Sequence, residues 1–497
     1  MKRLTLILLL IISFCLYADW TEQQKILASD GTEDDYFGYS VSINGDYAVI
    51  GAFYDGENGD GSGSAYIFQR NGTNWTEQAK LTASDGAAYD EFGRSVCIDG
   101  DYVVIGAYGD DDNGFMSGSA YIFWRNGSNW SEQAKLTASD GDDWDRFGYS
   151  VSISGDYAVI GAYRDDDNGD ESGSAYIFQR NGGSWTEQAK LTASDGDAGD
   201  WFGRSVFIDE DYALIGVEED EDNGEESGSA YIFHRNDSSW TEQAKLTASD
   251  GAADDHFGES VSIDGDYALI GAYGDYDNGM NSGSAYIFQR NSSSWIEQDK
   301  LTASDGAAHD DFGFSVSING DYAVIGAHGD DDNGSVSGSA YIFKRNGSSW
   351  IEQDKLTASD GAAHDVFGFS VSINGDYAVI GAHCNDDNGE YSGSAYIFIN
   401  DGLAIDEITG NAIINTSMAG NFPNPFNAMT NIEFNIRKET SAILTIYNMK
   451  GQTLERAVFG KGHHIYEWNA ENCCSGVYYY TLESGNYSET KKMILLK

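Results

Sequence analysis

The chain has 497 residues and carries 81 Asp and Glu against 28 Lys and Arg, a formal net charge of −53. A surface this acidic repels phosphate, which excludes nucleic acid and anionic lipid as partners and leaves small cations and basic partners open. A composition 41% hydrophobic and 13% aromatic can bury a large core, which excludes disorder, and five Cys are too few for a disulfide-built scaffold.

Chain order begins with Lys2-Arg3 and an apolar stretch from Leu4 to Leu16, followed by Tyr17-Ala18. A basic start, an apolar run short of a membrane span and a small residue at the cut predict a secretory signal peptide over residues 1–18. The expected mature chain has no membrane span.

From Trp20 onward one unit recurs. Trp20, Trp75, Trp130, Trp185, Trp240, Trp295 and Trp350 are spaced 55 residues apart without insertion. In the second unit four stretches have strand character: Trp75–Ala83, Phe92–Ile98, Tyr102–Ala107 and Gly118–Arg125. Ser-Asp-Gly, Asp-Gly-Asp, Asp-Asn-Gly and Asn-Gly-Ser sequences between them supply turns. Four strands per unit, seven times over, predict an all-β, seven-bladed β-propeller of four-stranded blades over residues 19–398. A linear solenoid is the rival, but seven equal units without atypical caps favour a closed ring.

Three aspartates occur in every unit. One belongs to Ser-Asp-Gly (Asp30, Asp85, Asp140, Asp195, Asp250, Asp305, Asp360). Another lies two residues before a Phe-Gly pair (Asp35, Asp90, Asp145, Asp200, Asp255, Asp310, Asp365). The third opens an Asp-Tyr pair and is read as a turn residue. A further loop, Asp110 to Gly114, places an acid or amide at the Asp110 position in each unit. Carboxylates from two loops could hold one Ca²⁺ per blade, since calcium takes six to eight oxygens. The alternative is that these aspartates cap turns through their own backbone.

Other positions vary sharply between otherwise similar units. Just before Phe-Gly stand Tyr36, Glu91, Arg146, Trp201, His256, Asp311 and Val366. Three before the phenylalanine are Asp34, Tyr89, Trp144, Gly199, Asp254, His309 and His364. Just after the pair come Tyr39, Arg94, Tyr149, Arg204, Glu259, Phe314 and Phe369. The Trp, Tyr, Arg, His and Phe members are candidates for a ligand-binding face whose contacts differ from blade to blade, with drift at exposed loops as the alternative. No Ser-His-Asp order, His-Glu-x-x-His, nucleotide loop or Cys/His metal spacing occurs, so no catalytic residue is assigned.

The Phe-Gly pairs, with Gly-Ala pairs such as Gly106-Ala107, make these units resemble the FG-GAP repeat family, which includes the integrin α-chain head. The resemblance implies that the Phe-Gly strand is innermost and that Trp20–Ala28 completes the last blade. The family's proline after Gly-Ala and its Asp-x-Asp-x-Asp-Gly-x-x-Asp calcium loop are absent, so calcium is not inherited from the resemblance.

Residues 399–420 are expected to be a linker to a different domain, 421–497. The segment from Asn421 holds eight Lys or Arg and seven Asp or Glu, a net +1. With +2 on the leader, residues 19–420 carry −56 of the chain's −53. Alternating stretches from Ile432 onward predict a small β-sandwich. Asn421-Phe-Pro423-Asn424-Pro425, Leu444 to Asn448, Ser475-Gly476-Val-Tyr478 and the closing Lys492 to Lys497 resemble the type A sorting domain of the type IX secretion system. The resemblance implies passage across the outer membrane of a Bacteroidota-like Gram-negative bacterium, with the secretion machinery as partner. Together these features point to a secreted or surface-displayed, non-catalytic binder of an extracellular glycan or protein. An extracellular polysaccharide-degrading enzyme with an axial site, or a structural surface-layer component, are the alternatives.

Overall fold

The computed structural model describes residues 20–400 and most of 417–497, in two units that are taken separately. The expected leader, residues 401–416 of the expected linker, and Pro423, Pro425 and Cys474 lie outside the described residues.

The first unit is the seven-bladed propeller. Its first blade orders the strands Phe37–Asn44, Tyr47–Ala52, Ser64–Asn71 and Asn74–Leu81 antiparallel, and five further blades repeat this pattern. The seventh blade takes three strands from its own repeat (Ser370–Asn374, Tyr377–Ala382, Ser394–Asn400) and its outer strand, Trp20–Ile26, from the start of the chain. Its third strand runs to Asn400, two residues past the expected boundary, because Thr21 pairs with Ile399 and Trp20 with Asn400.

Each strand alternates its apolar side chains between two neighbours, so a blade has no solvent face. Val103 and Ile105 pack with Tyr47, Val49 and Ile67 of the preceding blade. Val104, between them, packs with Ile122 and the next blade's Phe147 and Ile160. Seven such cores lie between blades rather than inside one. The Phe-Gly phenylalanines are fully buried in them, Phe92 edge-on to Tyr121 at 5.4 Å. A ring side chain so buried contributes about 1.5–3 kcal/mol.

Backbone joints connect the blades as well. Phe92 bridges in parallel to Gly63 of the blade before, and the same bridge recurs at every junction, including Phe37 with Gly393 where the ring closes. A Cβ on Gly51, of Gly-Ala, would stand 1.9 Å from the carbonyl oxygen of Gly93 in the next blade. The small residue is needed for this approach of two backbones. At the opposite mouth Asn44, Asp99, Ser154, Asp209, Asp264, Asn319 and Asn374 each accept a hydrogen bond from a backbone N–H of the next blade, at 2.8–3.3 Å, which completes a circle.

The outer rim is built from the repeated Trp, Tyr and Arg. Trp130 lies edge-on to Tyr47 of the preceding blade, and its indole N–H donates to Gln78. Arg125 stacks 4.0 Å from the centre of the Tyr47 ring and pairs with Asp101. The Asp-Tyr aspartate therefore has a guanidinium partner in addition to its turn.

The tail unit is a β-sandwich. A three-stranded sheet (Ser417–Phe422, Met429–Ile436, Gly462–Asn469) faces a four-stranded one (Ala442–Asn448, Thr453–Phe459, Gly476–Ser484, Tyr487–Leu495). Ile432, Phe434 and Trp468 from one sheet share a core with Leu444, Ile446 and Leu482 from the other.

Candidate functional site

All the variable positions lie at one end of the ring, where the connectors entering the inner strands meet the loops between second and third strands. The connector backbone is the same in each blade and left-handed at both sites of variation. At the residue before Phe-Gly, φ lies between 53° and 61°, and three before the phenylalanine between 66° and 90°. Of these fourteen residues only Gly199 takes such a conformation without a Cβ penalty. Hydrogen bonds hold the strained loop on the preceding blade: Trp144 and Arg146 donate their backbone N–H to the carbonyls of Phe115 and Met116, at 2.8 and 3.1 Å.

Those N–H groups bind whatever the side chain is, so the side chains are free to differ. They form layers. Nearest the axis, the residues after Phe-Gly touch in sequence around much of the ring. Phe314 lies 4.9 Å from Phe369, and Phe369 4.8 Å from Tyr39. Arg94 sits 4.7 Å over Tyr39 and donates to the Tyr149 hydroxyl at 3.1 Å, Arg204 lies 5.5 Å over Tyr149, and Arg204 pairs with Glu259 at 3.2 Å. Burial raises the Tyr39 hydroxyl above its ordinary value against the opposing charge of Arg94.

Outside this circle stand the residues before Phe-Gly. Tyr36 stacks on Phe53 at 5.3 Å, Trp201 meets Tyr163 at 5.4 Å, His256 stacks on Tyr273 at 4.9 Å, and Arg146 donates to the Tyr163 hydroxyl at 2.7 Å. Farther out Tyr89 and Trp144 are 52% and 45% exposed, and His309 and His364 are exposed too.

Two sets of residues on this face escaped the sequence reading. The position after Gly-Ala holds Phe53, Tyr108, Tyr163, Glu218, Tyr273, His328 or His383 and packs between the two inner layers. Burial lowers His328 to about 4 and His383 to about 3, so both imidazoles are neutral. The two residues after Asn-Gly vary as well; Phe115 lies against Trp144 at 4.7 Å and Tyr391 against Tyr36 at 5.7 Å. The signal was the same contrast between variable and constant positions, one loop further on.

The invariant aspartates are arranged differently. The Lys80 ammonium sits 2.7 Å from Asp30, 2.9 Å from Asp55 and 2.9 Å from Glu57, and the Tyr66 hydroxyl donates to Asp30 and Asp55 at 2.9 and 2.8 Å. Burial opposes the charge on Lys80, but hydrogen bonds to Asp30, Glu57 and Asp55 outweigh it and raise the ammonium above its ordinary value. Lys135 does the same for Asp85 and Asp110, and Lys190, Lys245, Lys300 and Lys355 for Asp140, Asp195, Asp250 and Asp305. In the closing blade Lys25 holds Asp360 and Asp387, with Asn385 as the amide partner at 3.2 Å. Asp250, Asp275 and Asp277 converge within 4.8 Å as metal ligands would, with Lys300 at 2.8, 2.8 and 2.7 Å from them.

The aspartates two before the phenylalanine are buried, and each accepts a backbone N–H three residues back, as Asp90 does from Ala87 at 2.7 Å. Burial raises Asp90, Asp200 and Asp255 to about 6 and Asp145 to about 7; Asp35, Asp310 and Asp365 are raised for the same reason.

In the tail the motif residues act as a clasp. Asn424 accepts the Ile494 N–H at 2.9 Å and donates to the Lys492 carbonyl at 3.3 Å. Asn421 bonds to Thr430 and Tyr480, Tyr478 packs on Trp468 at 5.4 Å, and the Lys497 ammonium donates to the Cys473 carbonyl at 2.7 Å. Gly476 opens the strand that pairs with the last one.

The family model of the FG-GAP repeat matches residues 20–68, 75–123, 130–178, 185–233, 240–288, 295–343 and 350–398. The chain belongs to the FG-GAP repeat family. Following the FG-GAP units, residues 421–496 match the secretion system C-terminal sorting domain, so the protein is exported by the type IX system. Among the described residues no helix is long and apolar enough to cross a membrane. A comparison with curated proteins gives no match. Among solved structures the FG-GAP chain is similar to a fungal alcohol oxidase of the AA5 family in complex with copper, with a TM-score of 0.50 at 10% identity, over 96% of this chain and 99% of that one. At that identity the likeness concerns the fold alone.

Proposed function

We propose that the chain is a non-catalytic binding protein, carried to the outer surface of a Bacteroidota-like cell or released from it, which presents the variable end of its propeller to an extracellular glycan or protein. One observation carries this reading. Variation between nearly identical repeats is concentrated on a single face, over a backbone that the blade before holds in place. The face is rich in Tyr, Trp and Arg, the residues that dominate binding energy in interfaces. Within the same reading, the lysine ammonium of each blade takes the place a calcium ion would occupy.

The test is an array of extracellular glycans and matrix proteins probed with the full chain and with Tyr89→Ala, Trp144→Ala and His364→Ala. These three side chains are exposed, so the variants keep their cores. At least one ligand is expected to lose about tenfold affinity in one or more of them, the scale of a lost hot spot. A ligand held equally by all three variants and weakened by Lys344→Ala, on another part of the ring, would overturn the assignment of the face.

A further inference from the structure

Positive charge in the propeller is almost wholly spoken for. Every arginine among its described residues has a carboxylate oxygen within 4 Å, save Arg146. Its Nη1 donates to the Tyr163 hydroxyl at 2.7 Å, its guanidinium lies 5.4 and 5.6 Å from the Tyr108 and Tyr163 rings, and its buried Nε has no partner. Arg94 shares the Tyr108 ring at 5.1 Å, and its nearest carboxylate, Glu91, is 3.9 Å away. Around the Tyr108 ring two guanidinium groups thus stand beside one carboxylate, in a chain of net charge −53, while on the aromatic side the Asp143 carboxylate accepts the Phe115 N–H at 2.8 Å. On the same loop as Arg146, Trp144 is 45% exposed and makes an edge contact with Phe115, itself 50% exposed.

We propose that this sector of the face, spanning the second and third blades, binds an acidic polysaccharide, with a sugar ring packed on Trp144 and Phe115 and its acid group on Arg146. The inference rests on the reading of the face as a binding surface and names the ligand class. A planar guanidinium matches the two oxygens of a carboxylate. A flat aromatic surface beside it takes the apolar face of a pyranose. An acidic polysaccharide repeats ring and acid along its length, as this sector sets the Trp144 and Phe115 pair two residues along the loop from Arg146. The surrounding acidity selects against such a ligand anywhere else on the ring, because like charges repel.

The experiment measures binding of the full chain to polygalacturonate, to a sulfated galactan and to a neutral glucan of similar length. Polygalacturonate is expected to bind, with affinity falling as salt rises. Arg146→Ala and Arg146→Gln should each weaken it at least tenfold, Trp144→Ala comparably, and Arg146→Lys less. The neutral glucan should not be held. Unchanged melting midpoints in the variants establish that the ring is intact; a shifted midpoint in Arg146→Ala leaves Arg146→Gln and Trp144→Ala to decide. Preference for the sulfated galactan, with the same loss at Arg146, would support the site and name sulfate as the acid. Absence of binding to both acidic polymers, or equal binding by all variants, overturns the inference. A neutral glycan or a protein lost in Trp144→Ala but indifferent to Arg146 overturns it too, and leaves the face as a binding surface.

Discussion

Glycines in this ring do two different jobs, and substitution separates them. Gly72 sits in an exposed turn at φ 66° with nothing within 4 Å of an added Cβ. Gly72→Ala should cost about 1 kcal/mol, the penalty of the left-handed conformation alone. Gly51→Ala would put a methyl group 1.9 Å from a backbone oxygen of the next blade. Neither backbone can yield without parting two blades, so about 3 kcal/mol or more is expected. Equal losses in urea unfolding would contradict this distinction. Histidine 383 permits a second residue-scale test. Its ring is packed among Tyr36, Tyr39 and Phe369, where burial opposes protonation and the charge of Arg94 adds to it. The folded imidazole, lowered to about 3, stays neutral while the unfolded one takes a proton below about 6.5. The stability this group provides is complete above pH 6.5 and is lost as the pH falls toward 3. His383→Gln should therefore be less sensitive than the parent between pH 6.5 and 4, measured as the difference of their unfolding free energies. Parallel curves would contradict it.

Among the elements, the outer strand fastens each blade to the connector that leads into it. Its glutamate and its lysine both grip the connector that precedes the blade. Glu77 accepts from the backbone and hydroxyl of Ser29, and Lys80 pairs with Asp30. The N-terminal strand does this for the last blade, through Glu22 to Ser359 and Lys25 to Asp360. Because the lysine already neutralises the aspartates, chelator should leave the melting midpoint unchanged. Lys25→Met should lower it, with a loss of about 1–2 kcal/mol in unfolding free energy after allowing for the half-exposed partners. A midpoint that falls in chelator and recovers with Ca²⁺ would show the aspartates to be metal ligands. The strands were legible in the sequence, since a period of 55 residues and turn residues at fixed offsets carry them, whereas their order and the closing role of the N-terminal strand came from the resemblance to FG-GAP repeats. The lysine cage was not. Lys80 comes to Asp30 across 50 residues and to Asp55 across 25, and alternation along a strand does not reveal which distant loop a side chain will meet.

At the scale of the molecule, the acidity of the first unit acquires a different meaning. A large share of its aspartates are internal partners of lysine, arginine or backbone N–H, so net charge overstates what a ligand would meet at any one place. The variable face was half legible: comparison of the repeats located the loop before Phe-Gly but missed the residues after Gly-Ala and Asn-Gly. The Asn-Gly loop of one unit meets the connector of the next only where the two blades pack, as Phe115 meets Trp144. Closure of the ring also determines where the chain can be cut. Trp20 and Asn400 are already paired, as Trp75 and Arg70 are in the first blade, where Asn71-Gly72-Thr73-Asn74 joins the two strands. Four residues of that kind would seal the seam, and the ring could then be opened at any of the other six outer hairpins. A set of circular permutants would share one fold and one face while offering seven places from which to attach the secretion tail or any other cargo.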